Sequence, residues 1–181
     1  MKQKYVVRSA IVGLAAVLAA LLSTHKSVEH RQRHVDGGLH YVAYVNDGDT
    51  VKLDNGERVR LIGIDTPEAH ENEKLLRDVR HRHLEGQVQL AMGKEAARFT
   101  KALLAHQKVR LEFDVEERDK YGRLLAYVYL PDGTFVNEKI IRAGYAYPLT
   151  IPPNVRYADE FKQWFDEARN AKRGLWSQGE R

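Results

Sequence analysis

The chain contains no cysteine. That absence excludes a disulfide framework, thiolate zinc sites, iron–sulfur clusters and a cysteine nucleophile together. Strong charge of one sign is also missing: the formal net charge is +4 over 181 residues. Residues 1–30 hold Lys2, Lys4, Arg8 and Lys26 against Glu29, so they carry +3 of it and the remainder stands near +1. Bulk attraction to an acidic partner is therefore weak, and any phosphate chemistry must come from particular arginines and lysines. Internal repeats and low-complexity tracts are lacking too. What is present suits one packed core with appendages, since 43% of residues are hydrophobic and 30% charged.

The long apolar run is Ala10 to Leu22, behind a short basic segment ending at Arg8. Its length is that of a signal-peptide core and falls short of the about 20 apolar residues of a spanning helix. No A-x-A site closes it, because Leu21 and Leu22 separate Ala20 from Ser23. Residues 1–24 thus read as a signal peptide or an N-terminal anchor, with residues 5–24 as the membrane contact. Either way the chain is expected to be exported: secreted, periplasmic or tethered to the outer face of the cytoplasmic membrane. Residues 25–38 are polar, rich in His and Arg and aperiodic, which reads as a tether. The folded unit is expected over 39–178.

Within it, Tyr41 to Val45, Thr50 to Leu53 and Arg58 to Ile64 are short β-rich runs separated by Asp-Gly and Asn-Gly turns, a three-stranded meander. Residues 69–92 are charged helix formers, and Phe99, Ala102 and Leu103 continue with helical spacing. Lys108 to Val115 alternates, with Val109, Leu111, Phe113 and Val115 on one face and Lys108, Arg110, Glu112 and Asp114 on the other. Another strand covers Arg123 to Leu130. A short helix covers Asn137 to Ala143 and stops at Gly144, and Phe161, Trp164, Phe165 and Ala168 mark a last helix. Five short strands with a helix inserted after the third predict an α+β fold, a Greek-key barrel of the OB type.

Four clusters could carry chemistry. Asp47-Gly48-Asp49-Thr50 reads either as an ordinary hairpin turn or as a hard-cation site. Asp65-Thr66-Pro67-Glu68 reads either as helix initiation, with Thr66 as N-cap, or as a pair of working carboxylates. Initiation does not explain Arg60, a charge on a strand apolar on both faces, which must be paired or functional. Asp119-Lys120-Tyr121-Gly122-Arg123 is a polar turn leading into a strand. His70, His81 and His83 with Glu71 and Glu73 suit a solvated helix face better than a zinc cage, since no fourth ligand is evident. Taken together, Asp49 and Asp65 at strand ends, Glu68 as a base and two arginines make a phosphodiester hydrolysis set.

In this order the motifs Val45-Asn46-Asp47-Gly48-Asp49-Thr50-Val51, Arg60 through Glu68, Asp119 through Tyr127, Val136-Asn137-Glu138 and Gly174-Leu175-Trp176-Ser177 closely resemble the staphylococcal nuclease, or thermonuclease, family. The likeness runs from about Tyr41 to Ser177. It implies a five-stranded OB-fold barrel with about three packed helices, and a Ca²⁺-dependent nuclease cleaving DNA and RNA to 3′-phosphate products. By motif match, Asp49 and Asp65 are metal carboxylates, the Thr66 carbonyl is another ligand, and Asp47 stands behind them. Glu68 matches the general base, Arg60 and Arg123 the two catalytic arginines, and Lys120 and Tyr121 contacts to a terminal phosphate. The alternative is a catalytically silent OB-fold module that binds nucleic acid or protein, though a binding module would not need the full set of charged residues. This chain is longer than the familiar form between Glu68 and Gly93. The family's base-stacking tyrosines have no secure counterpart, leaving Tyr145 and Tyr147 as candidates.

Overall fold

The computed structural model describes residues 34–70 and 86–177. The export segment, most of the tether, and Glu71, Glu73, His81 and His83 lie outside the described residues.

Strands β1 (His34–Val35), β2 (His40–Asp47), β3 (Thr50–Leu53) and β4 (Arg58–Leu61) come first, then β5 (Gly63–Asp65) and the helix α1 (Gly86–Leu104). They are followed by β6 (Lys108–Phe113), β7 (Leu124–Tyr129), α2 (Val136–Arg142), β8 (Tyr147–Leu149), α3 (Ala158–Asn170) and a 3₁₀ turn at Gly174–Trp176. The pairing β6-β2-β3-β4-β7, with β7 returning to β6, closes a five-stranded barrel. Its β4–β7 contact is parallel and its others antiparallel. The expected OB-type barrel with three helices is thus what forms, and closure leaves it without a free sheet edge.

Alternation fills the barrel. Val51, Leu53, Val59, Leu61, Val109, Leu111, Ala126 and Val128 point inward and are almost wholly buried. Helices α2 and α3 cap one end with Ile140, Ile141 and Phe161. On α1 the buried residues are Gln89, Gly93, Ala96, Thr100 and Leu104, spaced three to four apart as one helical face requires. This face is rotated from the expected Phe99–Ala102–Leu103 stripe: Ala102 is exposed, while Phe99 and Leu103 pack at the core's margin.

Further differences trace to particular residues and pairings. The run from Arg58 to Ile64 is two strands, not one, because Gly63 adopts φ +84° and turns the chain. Phe161 fills the space a β-carbon there would need, 2.0 Å away, and Asn137 Nδ2 donates to the Ile62 carbonyl at 2.8 Å. The strand from Lys108 ends at Phe113, which leaves Val115 exposed. Glu112, expected at the solvent face, is 1% exposed because Arg156 covers it. Regular structure also starts earlier than Leu39, since His34 and Val35 pair with Phe113 and Glu112. No sequence pattern announced β8, which pairs with β5 and sets Asp65 opposite Tyr147.

Candidate active site

Strands β2 and β3 meet at the two-residue turn Gly48-Asp49. Thr66 packs so closely on this turn that a β-carbon on Gly48 would lie 2.7 Å from its methyl group. Thr100 on α1 donates its hydroxyl to the Gly48 carbonyl at 2.7 Å, and Leu61 N–H donates to the Asp49 carbonyl at 2.9 Å. The hairpin reading therefore holds, and the turn is pinned from three sides, by Thr66, Thr100 and Leu61.

Asp49 is buried at 4% exposure. Its Oδ2 accepts the Thr66 amide at 2.8 Å and the Thr66 hydroxyl at 3.0 Å, and its Oδ1 accepts the Thr50 hydroxyl at 3.0 Å. Thr66 is thus no N-cap: no described helix starts there, and its side chain serves the Asp49 carboxylate. Arg60 lies in the next strand, opposite Thr50. Its Nη2 donates to Asp65 Oδ1 at 2.9 Å, and its Nη1 stands 2.6 Å from Asp49 Oδ2, a charge contact off hydrogen-bond alignment. One guanidinium therefore bridges two carboxylates that lie 16 residues apart in sequence at positions 49 and 65. This satisfies the requirement that a charge on that strand be paired.

Glu68 is buried at 9% exposure and closes the acidic group. Asp47 registers the crowding. Burial, then the Glu68 charge, then that of Asp49 push its carboxyl above the ordinary range, against the Ala69 amide and His70, which pull it down. Helix α1 backs this corner through Gly93, whose missing β-carbon would fall 1.9 Å from the Glu68 carbonyl oxygen.

Arg123 stands apart from this group, in a turn built by Asp119. Asp119 Oδ1 accepts the backbone N–H groups of Tyr121 and Arg123, and its Oδ2 accepts Arg123 Nε at 2.7 Å. Nε lies outside the terminal fork, so the clamp fixes the guanidinium plane without using the Nη end. Burial acts to raise the Asp119 carboxyl, but the Arg123 side chain and the two amides outweigh it and hold the group below its ordinary value. Lys120 and Tyr121 are exposed beside it, with the Lys120 ammonium 5.1 Å and the Arg123 guanidinium 5.6 Å from the Tyr121 ring centre.

Asp47, Asp49 and Asp65 offer hard oxygen donors, the kind Ca²⁺ takes, in a group whose like charges already oppose one another. That chemistry fits a divalent cation. Among the described residues no three His, Asp or Glu side chains converge closely enough to enclose an ion, Arg60 being drawn between Asp49 and Asp65. Of the histidine cluster, only His70 is described, and it is exposed.

The model of the family described as "Staphylococcal nuclease homologue" matches residues 58–178. The chain belongs to the staphylococcal nuclease family. It is 40% identical over 145 residues to the thermonuclease of Staphylococcus intermedius, covering 78% of each chain. To the thermonuclease of Staphylococcus hyicus it is 38% identical over 139 residues, covering 75% of this chain and 74% of that one. The endonuclease YncB of Bacillus subtilis is 37% identical over 136 residues, 72% of this chain and 58% of its own.

The geometry also shows what residue-by-residue reading missed. Thr100 and Gly93 were not singled out, and Asp119 was read only as part of a polar turn, yet Asp119 holds Arg123, Gly93 abuts Glu68 and Thr100 ties down Gly48 between Asp47 and Asp49. The Asp-x-x-Gly spacing was a signal for Asp119, because an Asp opening a turn accepts nearby amides. Gly93 and Thr100 gave none, since their targets lie far away in sequence. Tyr145 and Tyr147 are half-buried and each packs against another aromatic ring. Tyr145 stacks on Phe99 with ring centres 4.6 Å apart, and Tyr147 meets Trp176 edge-on at 5.0 Å.

Proposed function

We propose that the chain is a nuclease, a hydrolase that cleaves phosphodiester bonds of DNA and RNA to 3′-phosphate products with Ca²⁺ as cofactor. The observation that carries this reading is the gathering of Asp47, Asp49, Asp65 and Glu68 at the β2–β3 turn with Arg60 seated between two of them. The thermonuclease and endonuclease names of its relatives agree with it. Asp49, Asp65 and the Thr66 carbonyl would hold the ion, with Asp47 behind. When bound, Ca²⁺ polarises a phosphoryl oxygen.

The rest is work for side chains. Glu68 takes a proton from the attacking water as its oxygen bonds to phosphorus, and the 5′-oxygen departs, which leaves the phosphate on the 3′ side. Arg60 and Arg123 meet the charge that develops on the phosphoryl oxygens, each pre-oriented by its own carboxylates. Lys120 and Tyr121 bind a terminal phosphate next to Arg123. Residues 1–24 direct export or anchor the chain outside the cytoplasmic membrane, as the basic flank and apolar run indicate.

The test is cleavage of single-stranded DNA and of RNA by the full chain in Ca²⁺ and in chelator, with Glu68→Gln alongside. Ca²⁺-dependent cleavage that the variant loses is expected. A folded chain that binds DNA yet cuts nothing in Ca²⁺ would overturn the proposal in favour of a silent binding module.

A further inference from the structure

The outer face of the barrel carries a second row of side chains beside the acidic one. Registers define both. Asp47 faces Thr50 and Thr50 faces Arg60, which forms the row of the candidate site. One pleat repeat away, Tyr44 faces Lys52 and Lys52 faces Arg58. Val59 pairs with Leu124, the first residue of the neighbouring β7, so the turn that carries Arg123 leads into β7 next to the end of β4 that carries Arg58. Because side chains alternate along a strand and Val59 is buried, Arg58 points outward, and Arg123 is half-buried in the turn beside it.

Tyr44, Lys52 and Arg58 are all exposed, Tyr44 at 55%. No ion pair among the described residues engages Lys52 or Arg58, whereas the neighbouring acid Glu57 is neutralised by both terminal nitrogens of Arg118 at 2.9 Å. Tyr121, 64% exposed, lies two residues before Arg123 at the far end. The row is thus aromatic, cation, cation, cation, aromatic. Four strands at a spacing of about 4.8 Å make it roughly 15 Å long, enough for a few nucleotides. Neither the barrel core nor the reaction at a single phosphate requires Tyr44, Lys52 or Arg58.

We propose that Tyr44, Lys52 and Arg58 form a track for single-stranded nucleic acid that leads the strand to Arg123 and makes a polymer, rather than a dinucleotide, the preferred substrate. Lys52 and Arg58 contact backbone phosphates, and Tyr44 stacks a base beyond them. This rests on the nuclease reading for its outcome in catalysis, but not for its outcome in binding.

The experiment compares the full chain with Lys52→Ala/Arg58→Ala and with Tyr44→Ala and Tyr44→Phe, on an oligothymidylate of about 16 nucleotides and on the dinucleotide TpT. Melting curves check folding, which these exposed positions should leave intact. For the double variant KM on the oligomer is expected to rise about tenfold with kcat unchanged, and TpT kinetics should not move. Fluorescence anisotropy of the labelled oligomer on Glu68→Gln protein reads binding without cleavage. There the slope of log affinity against log salt should shrink by about 1.4, two single-strand phosphate contacts' worth. Tyr44→Phe should bind like the parent and Tyr44→Ala more weakly. An oligomer KM and salt slope unchanged in the double variant would overturn the track while leaving the nuclease reading intact. Parent protein that cuts neither substrate, with oligomer binding still dependent on Lys52 and Arg58, would overturn the nuclease reading and uphold the track.

Discussion

Gly93 of α1 lies against the backbone of Glu68, with no room between them for a single extra carbon: a β-carbon at 93 would sit 1.9 Å from the Glu68 carbonyl oxygen and 2.7 Å from the Ala69 nitrogen. The helix therefore sets the position of the proposed base by direct backbone contact, at a residue that has no side chain. A backbone group cannot swing aside as a flexible side chain can. Gly93→Ala should push Glu68 out of place, lowering kcat/KM about 100-fold and stability by about 1–3 kcal/mol. Single-turnover rates and thermal melts would measure the two effects, and a variant with parental kinetics would sink the idea.

Arg60 bridges Asp49 and Asp65 with two different terminal nitrogens. Lysine has one ammonium and cannot span both carboxylates in a fixed plane. Arg60→Lys should therefore lose about 100-fold to 1,000-fold in kcat/KM despite keeping its charge. The check is steady-state kinetics on TpT, where the outer track plays no part.

Asp119 titrates with a sign that can be tested. Its folded-state carboxyl lies below the ordinary value of 3.8. The group therefore contributes stability that is fully present above the ordinary carboxylate range and fades as the pH falls through the lowered folded value. Urea unfolding followed down the acid limb should show a shallower loss in Asp119→Asn than in the parent. The same variant should lower kcat at neutral pH, because Arg123 loses the partner of its Nε. An unchanged acid limb would remove Asp119 from this account.

Arg156 covers the buried carboxylate of Glu112 and also meets Asp114. Arg156→Ala leaves a 1% exposed Glu112 without that partner. The expected cost is about 3 kcal/mol, read by denaturant unfolding. Activity per folded molecule should stay at the parental level, since this network lies on β6 and the approach to α3, away from the acidic turn.

How much of this was legible beforehand follows from the range of each cause. Strand alternation at Val109, Leu111 and Phe113, and helix spacing at Phe161 and Ala168, are local patterns, and the barrel realises both. Glu112 broke its pattern because the covering Arg156 lies 44 residues away. Arg60 was visible as an anomaly, a charge in an apolar strand, but its two partners were not. Thr66 meets the same limit: its local context also allowed an N-cap, and the Asp49 carboxylate that accepts its hydroxyl comes from 17 residues earlier.

The sequence by itself determined the alternating strands, the turns at Gly48 and Gly122, the helix stop at Gly144 and the inventory of carboxylates and guanidinium groups, because propensity, handedness and side-chain chemistry act within a few residues. Tertiary structure alone decided which carboxylates hold Arg60, that the β4–β5 chain breaks where Phe161 needs space, and that Tyr44, Lys52 and Arg58 fall into one row. Those depend on strand register and barrel closure, which bring together groups far apart in the chain through packing that no short stretch of sequence encodes.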